Sequence, residues 1–208
     1  MNAYVQNWTY LTTGLVQMLF FLALIPQIIV NYKAKSAYGM SDFMLCGLFL
    51  GYFWDLFYFF SSENFTLAYK IKTPLAIIAV CVLIYQRIYY SKTVVSRLRF
   101  FKIMGIALTI SCVLVFLIFK SDFSHELSFG WIATTVWSTY QLPQIIRIFV
   151  NKSVAGFSLG FVIVLLFACG IELVNIIVLH LSLPYLIGVS RAILANGILA
   201  LQFWIYRH

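Results

Sequence analysis

Between Ile103 and Phe119 the chain carries no charged side chain, and six further stretches of about 20 mainly apolar residues carry few. Backbone in hydrocarbon must satisfy its own amide and carbonyl groups, so long apolar runs without period-two alternation fold as membrane helices rather than barrel strands. The expected spans are 10–32, 43–61, 70–90, 101–119, 128–150, 158–180 and 184–206. Hydrophobic residues make up 63% of the 208 positions and charged residues 10%, which leaves no material for a separate soluble domain. The fold class is an all-α membrane protein with seven transmembrane helices.

A net charge of +8 would point to nucleic acid in a soluble protein. Here most of the basic residues sit between apolar runs and read as topology signals. With the N-terminus outside, the inner side holds Lys33, Lys35, Arg87, Lys92, Arg97, Arg99, Lys102, Arg147, Lys152 and Arg207, against Lys70, Lys72 and Lys120 outside. That asymmetry puts the C-terminus in the cytoplasm. The first apolar run is too long for a cleaved signal and is expected to stay in the mature protein. Cys46, Cys81, Cys112 and Cys169 lie in or beside apolar runs without paired spacing, so neither disulfides nor a metal site is indicated.

The chain also repeats itself. Pro26-Gln27-Ile28-Ile29, Lys35-Ser36 and Gly39-Met40-Ser41 return as Pro143-Gln144-Ile145-Ile146, Lys152-Ser153 and Gly156-Phe157-Ser158, each residue 117 positions after its counterpart. This is an internal duplication. The purest apolar run, Ile103 to Phe119, matches neither copy, so the chain divides into residues 1–100, a three-helix repeat with a basic cytoplasmic loop, a linker helix at 101–120, and a second three-helix repeat at 121–208. An odd linker makes the two halves parallel, related by an axis along the membrane normal.

In each repeat a proline inside an apolar helix removes one backbone donor and crowds the preceding turn, which predicts a kink or hinge. Pro26 and Pro143 are hinge candidates; Gln27 and Gln144 have the groups to bond carbonyls freed there or to face a polar cavity. A kink needed only for packing is the plainer alternative. The closing serine of each copy is placed to cap the next helix. Gly47 with Gly51, and Gly156 with Gly160, are spaced to let helices approach closely.

Asp55 and Glu172 share the same 117-residue offset, and each lies 13–14 residues beyond its Gly-x-Ser, about 20 Å into the membrane. A carboxylate at that depth must face a cavity or find a partner. Lys72 can reach toward Asp55, and Arg191 lies near the depth of Glu172, so either acid reads as a site residue or as half of a structural ion pair. Asn175, Asn196, Gln86 and Gln202 add amides within apolar helices. With Tyr58, Trp137 and Tyr140 they can line a pocket that stacks on and hydrogen-bonds a small polar solute, or simply bond and pack neighbouring helices. His125, His180 and His208 lie at separate helix ends with no nucleophile or metal-ligand spacing around them, so no enzymatic activity is expected.

The paired Pro-Gln, followed by Lys-Ser and Gly-x-Ser, resembles the PQ-loop repeat family over nearly the whole chain. LPQIIRIFVNKSVAGFSLG, from Leu142 to Gly160, resembles the second motif of lysosomal cystine and cationic amino-acid exporters, and SWEET sugar transporters are more distantly similar. The resemblance implies alternating access through a central site, with the Pro-Gln pairs as hinges. It also exposes a departure. Asn196, Gln202 and Tyr206-Arg207 fall where those exporters have an acid, a glutamine and an aromatic-basic end, and Val80 rather than an acid precedes Gln86 by six positions. An asparagine cannot carry a proton, so proton coupling, if present, passes to Asp55 or Glu172. The expected function is transport of an amino acid, cationic or cystine-like, the buried acids offsetting its charge. A sugar facilitator and a non-transporting receptor or scaffold are the alternatives. Expected partners are the substrate, protons where transport is coupled, and membrane lipid, with no cofactor and no nucleic acid. The short loops suggest a bacterial inner membrane rather than a lysosome-type organelle.

Overall fold

The computed structural model describes residues 3–63, 65–91 and 93–207, with side chains from Tyr10 onward. Lys92 and His208, which figured in the sequence reading, lie outside the described residues. Among the described residues there is no strand. The helices are α1 (Ala3–Leu22), α2 (Leu24–Ala34), α3 (Asp42–Ser61), α4 (Leu67–Tyr89), α5 (Val94–Phe119), α6 (His125–Thr139), α7 (Leu142–Asn151), α8 (Leu159–Leu179) and α9 (Leu183–Tyr206).

Six continuous stretches are long and apolar enough to cross a membrane, α1 and α2 counting together from Tyr10 to Ala34. The chain is an integral, multi-pass membrane protein. The expected fifth span, 128–150, is instead broken into α6 and α7, neither long enough alone. The prolines explain both interruptions. α1 ends at Leu22 and α6 at Thr139, each four residues before a proline whose missing N–H would have bonded that carbonyl.

A second departure concerns the basic segment. Arg97, Arg99 and Lys102 were expected in or next to a loop that ends at 100, but α5 starts at Val94. Thr93 caps it, its Oγ1 accepting from the Ser96 N–H at 3.2 Å, which frees the helix to begin two turns earlier. Ser41 and Ser158 cap α3 and α8 in the same way, accepting from Met44 N–H at 3.0 Å and Phe161 N–H at 3.2 Å. Lys35 and Lys152 close the preceding helices in the left-handed conformation, with φ of 47° and 49°.

α4 packs between α1 and α3, and α9 between α6 and α8; the two groups meet where α3 lies on α6 and α1 on α8. α5 packs outside, against α3 and α6. Two glycines bring α3 onto α6. A Cβ at Gly47 would sit 2.5 Å from that of Tyr140, and one at Gly51 would sit 2.8 Å from the Trp137 ring. That approach brings the Trp137 indole N–H to Asp55.

Candidate functional site

Each Gln of the duplicated motif holds the Gly-x-Ser turn of the other repeat. Gln27 Nε2 donates to Gly156 O at 3.0 Å while its Oε1 accepts from Ser158 N–H at 2.8 Å. Gln144 Nε2 donates to Gly39 O at 2.9 Å while its Oε1 accepts from Ser41 N–H at 2.7 Å. Where the turns cross, a Cβ on Gly39 would lie 1.8 Å from Gly156 O, and Gly156 takes a φ of +75° that favours glycine. The lysine-bearing end of the bundle is thus closed by main chain against main chain. Arg147 adds bonds to Met40 O at 2.8 Å and to Tyr38 O.

Gln86 and Gln202 belong to this end rather than to a pocket. Gln86 Nε2 donates to Ile28 O at 3.0 Å and Gln202 Nε2 to Ile145 O at 2.9 Å, carbonyls two residues past each proline. Gln86 also accepts from Asn31 Nδ2 at 3.0 Å. At the same end Arg87 is buried and holds Asp42 with two bonds, of 2.6 and 3.2 Å.

Between the halves lies a cavity of about 70 Å³, walled by Asp55, Lys72, Tyr52, Tyr58, Trp137, Tyr140 and Asn196 among others. Lys72 Nζ is 3.7 Å from Asp55 Oδ2, and Trp137 Nε1 donates to Asp55 Oδ1 at 3.0 Å. Both ions are nearly sealed from solvent, at 3% and 5% exposure, so each depends on the other for charge compensation. Gln141 Nε2 donates to Asn196 Oδ1 at 2.8 Å, fixing the amide on the cavity wall. The volume suits roughly two waters and is too small for an amino acid or a sugar.

The far end is closed by side chains. Phe59 and Phe65 stand 4.6 Å apart between ring centroids, Tyr185 meets them at 5.8 and 5.5 Å, and Tyr69 meets Tyr185 at 5.8 Å. The Tyr58 and Ser182 hydroxyls bond each other, and Ser62 Oγ donates to Glu126 Oε1 at 2.8 Å.

Glu172 lies outside the cavity wall, fully buried among α1, α8 and α9. It accepts from Gln17 Nε2 at 2.9 Å, Tyr185 OH at 2.6 Å and Asn175 Nδ2 at 3.3 Å. The ion pair with Arg191 considered from the sequence does not form: Arg191 is exposed on α9 and belongs to neither ion pair found among the described residues. Of the sequence-read residues, Asp55, Tyr58, Trp137, Tyr140 and Asn196 meet at the cavity, whereas Glu172 and Asn175 form a separate network. Tyr185 and Gln141 were missed. Tyr185 had no signal to separate it from other aromatics, but Gln141, a polar residue two positions before a helix-breaking proline, did.

The PQ loop repeat matches this chain twice, over residues 15–67 and 127–185. No curated protein sequence matches it. A solved structure of a eukaryotic SWEET transporter is similar in fold, with a TM-score of 0.69 over 98% of this chain and 97% of that one, at 10% sequence identity.

Proposed function

The chain belongs to the PQ loop repeat family, and on that premise we propose that it is an alternating-access transporter of a small zwitterionic metabolite, an α-amino acid. The observation that carries this reading is the Asp55–Lys72 pair in the wall of a cavity between the two halves. At 3.7 Å the ions touch without locking. A substrate ammonium can replace Lys72 beside Asp55 while the substrate carboxylate takes Lys72, so both buried charges stay matched throughout. A cationic substrate fits less well, since Lys72 already neutralises Asp55. Asn196, held by Gln141, and the Trp137 and tyrosine rings supply orientation.

In this reading α1–α4 and α6–α9 are two triple-helix bundles joined by α5, with the N-terminus outside and the basic end cytoplasmic. The helix breaks at Ala23 and Tyr140-Gln141 let the halves rock. The short loops favour a bacterial inner membrane.

The test is uptake of labelled neutral amino acids, arginine and glucose into proteoliposomes. Asp55→Asn and Lys72→Gln should each lower neutral amino-acid uptake about 100-fold, because each leaves one buried charge alone. Glucose uptake indifferent to both substitutions would replace this reading with a sugar facilitator, and the absence of any uptake would favour a receptor. Pro26→Ala or Pro143→Ala should slow turnover about tenfold with substrate affinity kept. Unchanged turnover would remove the hinge role.

A further inference from the structure

Glu172 is a fully buried carboxylate without a cation of its own. The buried ions nearest it, Asp55 and Lys72, form a pair, and the remaining buried ion, Arg87, is held by Asp42 at the other end of the bundle. The groups that face Glu172 are Gln17 from α1, Tyr69 and the engaged Lys72 from α4, Cys169 and Asn175 from its own helix, and Tyr185 from α9. With Asp55, Lys72 and Glu172 ionised, the membrane-embedded core is short of one positive charge.

Three buried oxygens in this region hydrogen-bond to nothing in the protein: Thr13 Oγ1, Gln17 Oε1 and Tyr69 OH. Thr13 and Gln17 are one turn apart on the same face of α1. Tyr69 lies beside both Thr13 and Glu172, outside hydrogen-bond geometry with either. A proton on Glu172 would supply the missing charge but could bond only one of these oxygens. An alkali cation gathers several oxygens at once, and an oxygen-only donor set with one surplus negative charge selects a hard, monovalent ion. The tight spacing around Glu172, 2.6 Å to Tyr185 and 2.9 Å to Gln17, favours a small one.

We propose that Glu172, Thr13, Gln17 and Tyr69 form a sodium-binding site beside the central cavity and distinct from the Asp55–Lys72 pair. Tyr185 joins the site to the far-end closure. Its hydroxyl donates to Glu172 while its ring packs against Phe59, Phe65 and Tyr69. Sodium bound here therefore steadies the aromatic plug, which would couple the ion to transport. That coupling rests on the transporter reading, but the binding does not.

The experiment is thermal unfolding of the detergent-purified protein in sodium, potassium or choline chloride at constant ionic strength, without substrate. The unfolding midpoint should rise with sodium alone. Glu172→Gln should abolish the rise, Thr13→Val should raise the sodium concentration needed about tenfold, and Gly105→Ala on α5, where a Cβ meets nothing within 4 Å, should leave the response in place. If Glu172→Gln does not fold, the Thr13→Val titration decides. An equal rise in potassium or choline, a sodium response that survives Glu172→Gln or is unmoved by Thr13→Val, or a midpoint that follows pH and not sodium would overturn the site. Because no uptake is measured, failure here leaves the transporter reading intact, and failed uptake leaves the sodium site intact.

Discussion

At the lysine-bearing end the two halves meet main chain to main chain, Gly39 against Gly156, with each repeat's glutamine bonded to the other's turn. At the far end they meet through the rings of Phe59, Phe65, Tyr69 and Tyr185 and a hydroxyl pair. Main chain has no rotamers. The first closure is therefore either made, with all four glutamine bonds in register, or broken, whereas the second can loosen one side chain at a time. A bundle closed by unlike devices at its two ends should respond unequally to substitutions of similar size.

The largest effect is expected from Gly39→Ala. The added methyl would sit 1.8 Å from Gly156 O, and neither turn can yield without losing its glutamine. Holding that end apart should cut turnover in proteoliposomes about 100-fold. Gly14→Ala, where a Cβ meets nothing within 4 Å, is the control and should be silent. Equal turnover in the two variants would mean that this closure is not part of the cycle.

The glutamines should follow. Gln27→Ala and Gln144→Ala each strand buried main-chain groups, a loss of about 1–3 kcal/mol apiece in the closed state. Gln27→Ala should be the worse, since Gln27 also donates to Asn31 at 2.8 Å and Asn31 in turn bonds Gln86. If the clamp is one unit, thermal unfolding of the double variant will show less than the sum of the single losses. Strict additivity would make the two glutamines independent latches.

The duplication made both glutamines visible in the sequence, but not their exchange. Identical spacing says that two copies are alike; it does not say whether a Gln27 side chain bonds its own turn or the other copy's, because that depends on how the halves dock. Depth misled in a related way. Arg191 and Glu172 lie at similar depths, yet Arg191 is five positions before the inward-facing Asn196, about 140° around the helix, and so points away from the core. Lys72, also named as a possible partner, had both the depth and the face. The prolines located the helix breaks, and the apolar runs located the helices themselves, because hydrocarbon leaves a backbone few choices. Tyr185 stayed hidden among 13 tyrosines. Its role arises from α9 starting next to α8, a tertiary fact with no local signature.

Tyr58→Phe should have the smallest effect and tests the other side of the contrast. The substitution deletes the hydroxyl that bonds Ser182 but keeps the ring, which lies 5.5 Å from Phe59 and 5.0 Å from Phe65. One hydrogen bond of about 1 kcal/mol is lost from a closure otherwise made of ring contacts, so turnover should change about threefold or less. Gly130→Ala makes the complementary change, since its Cβ would lie 2.8 Å from the Tyr58 ring. A tyrosine side chain can rotate away where the Gly39–Gly156 crossing cannot, so this alanine should cost much less than Gly39→Ala. If Gly130→Ala were as damaging, the far end would be as rigid as the main-chain clamp, and the distinction between the two closures would fail.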